Sequence, residues 1–186
     1  MHYLRVFVVS LFIFLNIAFA QATTAVKTTK VAIFKSITHL NNTLNRKTAW
    51  LYADIIDKYS KLYGIDPLLI VAIAKQEGDF ILNKKNGYFE KIYDDDGEIS
   101  HRYITTDYCM MQINKSNLVH MNLNPKKLLT DPDYCIKAGV KILASLKPFK
   151  RYEKNWWSRY NSVNPKFRAL YKRQVLRFYH NASQTV

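Results

Sequence analysis

Turn-forming residues are scarce in this chain. Five Gly and five Pro are spread over 186 residues, which excludes collagenous, low-complexity and turn-dense all-β architectures. Acidic residues are few as well, 14 Asp plus Glu against 28 Lys plus Arg, for a formal net charge of +14. Such an excess implies an anionic partner or surface and says nothing about fold. Beyond residue 20 the four histidines His39, His101, His120 and His180 are scattered without ligand spacing, and Cys109 and Cys135 have no histidine pair nearby. No zinc signature results, and no metal is expected. After residue 20 no apolar run approaches the roughly 20 residues needed to cross a bilayer. Internal repeats and linkers are missing too, so the length fits one domain.

What is present is globular in balance: 48% apolar and 23% charged residues, with 13 Tyr, 10 Phe and 3 Trp. That supplies a core and leaves aromatics for a binding surface. Met1 to Arg5 carries one Arg, Val6 to Ala20 is nearly all apolar, and Ala18-Phe19-Ala20 forms a small-residue cleavage site. Residues 1–20 therefore read as a signal peptide, an uncleaved anchor being the alternative, and the chain as exported. In an oxidising compartment Cys109 and Cys135 are expected to pair, for about 3 to 4 kcal/mol. Two separate buried thiols are the alternative.

The organisation is a partly helical N-terminal segment over 21–47, a principal domain over 48–181 and a tail over 182–186. Apolar residues from Val31 to Leu44 recur at helical steps, as do those from Tyr52 to Tyr63, where Gly64 is a natural stop. Asp66-Pro67, Asn124-Pro125, Asp131-Pro132 and Asn164-Pro165 each pair a capping residue with proline at the first helical position. The helix behind Asp66 is apolar almost all round, which marks it as buried, and Gly78 is expected to end it. Pro148 is expected to stop the helix opened by Asp131. On the last helix Phe167, Leu170, Tyr171, Gln174, Val175 and Phe178 follow the helical period. Between these helices, Phe89–Tyr93 and Glu98–Ile104 flank Asp94-Asp95-Asp96-Gly97, a hairpin signal. The acidic run lacks the ligand pattern of an EF-hand loop. The class is α+β, mostly α: one helical domain with a small β-hairpin.

Beyond residue 20 the chain has four Glu: Glu77, Glu90, Glu98 and Glu153. Three stand in polar surroundings, whereas Glu77 ends the most apolar helix. A carboxyl against apolar walls is desolvated, its pKa rises, and it can serve as a general acid near neutral pH. A solvated residue in a helix's last turn is the ordinary alternative.

The segment YGIDPLLIVAIAKQEGDF at 63–80 resembles the first motif of the lysozyme-like lytic transglycosylases, a buried helix ending in the catalytic Glu. DYCMMQIN at 107–114 is similar to that family's Met-Gln-Ile-Asn word, and DPDYCIKAGVKIL at 131–143 to the helix that follows it. RYNS at 159–162 and FRALYKRQV at 167–175 resemble its Tyr-Asn word and closing helix. The short chain looks most like the small transglycosylases associated with secretion, conjugation and pilus machines. The resemblance implies a lysozyme-like fold with the hairpin beside the cleft, and peptidoglycan glycan strands as the substrate. It implies Glu77 as the single catalytic acid/base and Met111, Gln112, Tyr160, Asn161 and Tyr171 as substrate-contacting residues. It implies no cofactor, and proteins of a secretion or conjugation complex as partners. Core packing is the alternative for Met111 and Tyr171. Two departures stand out: Gly78 where the family commonly has Ser, and Cys109 where it usually has Gly. A hydrolytic lysozyme and a non-catalytic wall-binding protein are the rival readings. Nucleic-acid binding, suggested by basic and aromatic residues from 155 to 180, is set aside because the chain is exported and carries no such motif.

Overall fold

The computed structural model describes residues 30–93 and 96–185. The expected signal peptide lies outside the described residues, as do residues 21–29 and Asp94 and Asp95 of the hairpin turn. Helix α1 occupies residues 30–40 and ends before Leu44, the last position of its apolar pattern. The remaining helices are α2 (Arg46–Tyr63), α3 (Pro67–Gly78), α4 (Lys115–His120), α5 (Pro125–Thr130), α6 (Pro132–Ser145) and α7 (Pro165–Ser183). Two 3₁₀ turns, Lys147–Arg151 and Trp156–Tyr160, link α6 to α7.

One device starts all six of these helices. An Asn or Asp side chain, from Asn45, Asp66, Asn114, Asn124, Asp131 or Asn164, accepts a backbone N–H of the first turn. Each cap stabilises its helix by about 1 kcal/mol. The four cap-proline pairs open helices as the sequence predicts. Helix ends are less regular. Gly64 closes α2 in the left-handed region at φ 59°, the conformation glycine adopts without Cβ strain. Gly78 is the last residue of α3, as expected. It is still helical, and Asp79 is the left-handed cap at φ 51°, held by Lys75 Nζ at 2.5 Å and by Asn41 Nδ2, which donates to its carbonyl at 3.1 Å. Helix α6 ends at Ser145, shortly before Pro148 as expected, and Pro148 sits inside the following 3₁₀ turn.

Helix α3 is the centre of the core. Leu69, Ile70, Val71, Ala72, Ile73 and Ala74 are all buried, so every face meets protein, as a helix without a polar side must. It packs against α7 and α2, and α2 packs in turn against α6. Ile33, Phe34 and Ile37 of α1 belong to the same cluster. Each fully buried aliphatic contributes about 1.5–3 kcal/mol relative to exposure. Tyr179 of α7 donates to the Asp66 carboxylate at 2.6 Å, fastening the last helix to the start of α3. On α7 itself the buried residues are Tyr171, Val175 and Ala182, while Phe167 and Leu170 are 57% and 49% exposed. The buried stripe is thus narrower than the expected one and omits Phe167 and Leu170.

The hairpin is longer than predicted and has a third strand. β1 (Lys85–Tyr93) pairs antiparallel with β2 (Ile99–Tyr108), whose last two residues pair with β3 (Ile113–Asn114). A bulge between Tyr88 and Phe89 shifts the register, so the outer part of the hairpin is re-aimed relative to its base. Both faces of that outer part are exposed. The base, from Thr106 onward, enters the core. The architecture is α+β and mostly α.

Candidate active site

Glu77 lies in the last turn of α3, where the segment 109–112 crosses it. A Cβ on Gly78 would stand 2.4 Å from the Met110 Cα and carbonyl oxygen, so only glycine lets the crossing backbone come so close. Serine, the usual family residue, would clash there. Cys109 opens the crossing at φ 61° and Gln112 closes it at φ 45°, a left-handed conformation that costs a non-glycine residue about 1–2 kcal/mol. Contacts offset that cost. Cys109 is disulfide-bonded to Cys135 of α6, with Cα atoms 6.3 Å apart, and its N–H donates to the Lys84 carbonyl at 2.8 Å. Gln112 Nε2 donates to the Cys109 carbonyl, and Gln112 Oε1 accepts from Asn86 Nδ2, both at 2.7 Å. Tyr160 caps the turn from outside, donating to the Met111 carbonyl at 2.8 Å.

These elements enclose a cleft of about 330 Å³ whose lining includes Glu77, Tyr88, Asp107, Gln112, Tyr160 and Asn161. Burial pushes the Glu77 carboxyl up to about 7; the Tyr171 hydroxyl and Lys84 oppose the shift, and the charge of Asp107 adds to it. Glu77 Oε1 and the Tyr171 hydroxyl are buried without a partner in hydrogen-bond geometry. The hydroxyl therefore acts on the acid by proximity and not through a formed bond. Lys84 Nζ donates to the Glu77 carbonyl at 2.8 Å, which fixes the helix end and puts a cation beside the carboxyl. Burial also raises Asp107, against the pull of Asn114 and Tyr88; Asn114 Nδ2 donates to it at 2.7 Å. Tyr160 and Tyr171 titrate well above the ordinary phenol range through burial first and the Glu77 charge second. A carboxyl poised near neutrality can be protonated when substrate arrives and can take the proton back later.

Of the residues singled out from sequence, Glu77, Gln112, Tyr160 and Asn161 meet at the cleft. Tyr171 stands behind Glu77, 3% exposed, and its hydroxyl reaches the acid and not the lining. Met111 is brought elsewhere: its side chain is fully buried and packs on Gly139 of α6, where a Cβ would lie 2.7 Å from the Met111 Cε. Its contribution to the site is the carbonyl that receives Tyr160. The Gln112 amide is occupied by Asn86 and Cys109, which makes it the brace of the wall. Sequence reasoning missed Asp107, Tyr88, Lys84 and Arg159. Asp107 stands at the head of the DYCMMQIN word and was within reach, whereas Tyr88 and Lys84 carried no signal because only the hairpin's base brings them to Glu77. Among the described residues no cluster of His, Cys, Asp or Glu could hold a metal ion, and no helix is long and apolar enough to cross a membrane.

A half-buried, largely desolvated carboxylic acid lining a polar cleft is the equipment of general-acid chemistry on glycosidic oxygens. The chain matches the transglycosylase SLT domain over residues 54–170. That is more than half its length. It belongs to this family, the lytic transglycosylases of the lysozyme-like superfamily, whose domain binds peptidoglycan. No curated protein matches the chain.

Proposed function

We propose that the protein is an exported lytic transglycosylase that cleaves the β-1,4 bond between N-acetylmuramic acid and N-acetylglucosamine, with Glu77 as its acid and base. The observation that carries the reading is the Glu77 carboxyl, buried beside a polar cleft with its pKa pushed up to about 7. Protonated Glu77 delivers its proton to the glycosidic oxygen as the bond from the muramoyl C1 breaks. The substrate's N-acetyl group and the charge of Asp107 stabilise the oxocarbenium-like centre. Glu77, now a carboxylate, takes the proton from the muramoyl C6 hydroxyl, whose oxygen closes on C1. The products are a free 4-hydroxyl and a 1,6-anhydro ring, and Glu77 ends protonated as it began. No water is consumed. The apolar N-terminus and the disulfide support export, and the resemblance to secretion-associated transglycosylases supports a role in opening the wall locally for a secretion or conjugation machine.

Asp107 favours a second reading. A second carboxylate in the same cleft is what a hydrolytic glycosidase uses, and it would let water compete with the C6 hydroxyl. Mass spectrometry of soluble muropeptides from purified sacculi separates the two, because anhydro products are lighter than hydrolysed ones by one water. Anhydro products are expected, with none from Glu77→Gln. Fully hydrolysed ends, lost in Asp107→Asn, would move the assignment to lysozyme. Undiminished activity in Glu77→Gln would remove Glu77 from its role, and no activity from the parent would leave a wall-binding protein.

A further inference from the structure

The lining of the cleft holds two carboxylates, Glu77 and Asp107, and one cation, Arg159. Three contacts fix where Arg159 stands. Its Nε donates to Glu153 Oε2 at 3.1 Å, and its guanidinium lies 4.2 Å from the centre of the Phe149 ring. Arg168 Nη1 donates to the same Glu153 oxygen at 2.7 Å. One carboxylate thus serves two guanidiniums, so the cluster keeps a positive charge. Arg168 is the deeper of the pair, its side chain 15% exposed against 27% for Arg159. Among the described residues the Arg159 side chain makes its hydrogen bond through Nε, and neither terminal nitrogen has one. A guanidinium with its Nε occupied, its carbon held over a ring and its terminal fork free of hydrogen bonds is arranged to grip a carboxylate.

Peptidoglycan brings such a group to that place. Its sugar rings are uncharged, and its negative charge lies on carboxylates of the muramoyl unit. These are the lactyl carboxylate where the peptide stem has been removed, or the stem's own carboxylates where it is present. Tyr160 and Asn161, which follow Arg159 directly, line the same cleft, so an anion held at Arg159 would register the muramoyl unit against the rest of the site. We propose that Arg159, braced by Glu153 and Phe149, is the carboxylate anchor of the cleft and selects glycan strands by the charge on the muramoyl unit. The proposal rests on the functional reading above. Arg159 is a binding and specificity residue, and Glu153 is the residue that positions it.

The test compares kcat/KM on native strands and on strands whose carboxylates have been converted to N-methylamides. Neutralisation is expected to lower the parent about tenfold, the effect of losing one charge-assisted contact, chiefly through KM. Arg159→Gln should act on native strands at the level the parent shows on neutral ones and should not respond to neutralisation. Arg159→Lys, with the charge but not the fork, should fall between, and it keeps the comparison available if the Gln variant does not fold. A parent indifferent to neutralisation overturns the proposal alone, as does an Arg159→Gln protein that responds as strongly as the parent. A parent that cleaves neither strand overturns the functional reading and the proposal together. Stems stripped by an amidase separate the two sources: preference for stem-bearing strands assigns the stem carboxylates, and preference for stripped strands assigns the lactyl carboxylate.

Discussion

Replacing Glu77 with Gln should change how stability depends on pH, by an amount that follows from the burial of the carboxyl. In the folded protein Glu77 holds its proton up to about pH 7, whereas its ordinary value is 4.5. The folded state therefore binds more protons than the unfolded one between those limits, and stability falls as pH rises through them. Below about 4.5 both states are protonated and the full stability is present. Above about 7 both are ionised and the penalty of the buried charge is complete. That gap corresponds to about 3 kcal/mol at about 1.4 kcal/mol per pH unit. In a domain stable by about 5–15 kcal/mol this is readily measured. Gln has nearly the same shape and does not titrate, so subtracting the two proteins cancels most other groups. Urea unfolding of both, unreduced and at matched pH from 4 to 8.5, should give a difference that is flat at the acid end. It should grow in favour of Gln through the middle of the range and level off near pH 7 to 8. A difference constant across the range, or one that favours the parent at high pH, would refute the assignment of a buried, proton-holding Glu77.

Three further outcomes follow from the same geometry. The Tyr171 hydroxyl opposes the upward shift of Glu77, so Tyr171→Phe should move the basic limb of the pH–rate profile to higher pH. Because that hydroxyl is buried without a partner, thermal stability should hold or rise, and a basic limb that stays put or moves down would exclude its action on the acid. Gly78→Ser should destabilise by about 1–3 kcal/mol, the usual range for overpacking, since its Cβ would meet the Met110 backbone at 2.4 Å; an unchanged thermal midpoint would mean that the crossing is looser than described. Reducing the bond between Cys109 and Cys135, which are 26 residues apart, should cost about 3.5 kcal/mol by loop entropy, measured by urea titration with and without reductant.

The helices that begin with Asp or Asn followed by Pro, and the α2 stop at Gly64, were determined by sequence alone. Their causes are local: a side-chain oxygen reaching two or three residues ahead, a fixed φ, a missing Cβ. The burial of α3 was legible for a related reason, because a helix with no polar face has only one place to go. The chemistry of Glu77 followed, since the acid rides on that helix. Endings decided by distant contacts were not legible. Asp79 takes the left-handed cap where Asn41, far away in sequence, donates to its carbonyl, and Gly78 is glycine because Met110 crosses above it. The periodic stripe of α7 included Phe167 and Leu170, yet periodicity says which residues share a face and not how far the partner surface extends along it. The same limit separates Met111 from Gln112. The word they share is visible in the sequence, but adjacent residues diverge, one into α6 at Gly139 and the other to the cleft wall. Tyr88, Lys84, Asp107 and Arg159 join Glu77 only through the hairpin's base and the 3₁₀ turn before α7. How far water is excluded from the acid, and which groups surround it, was decided by tertiary structure, because burial and electrostatic coupling depend on positions in space and no local pattern encodes them.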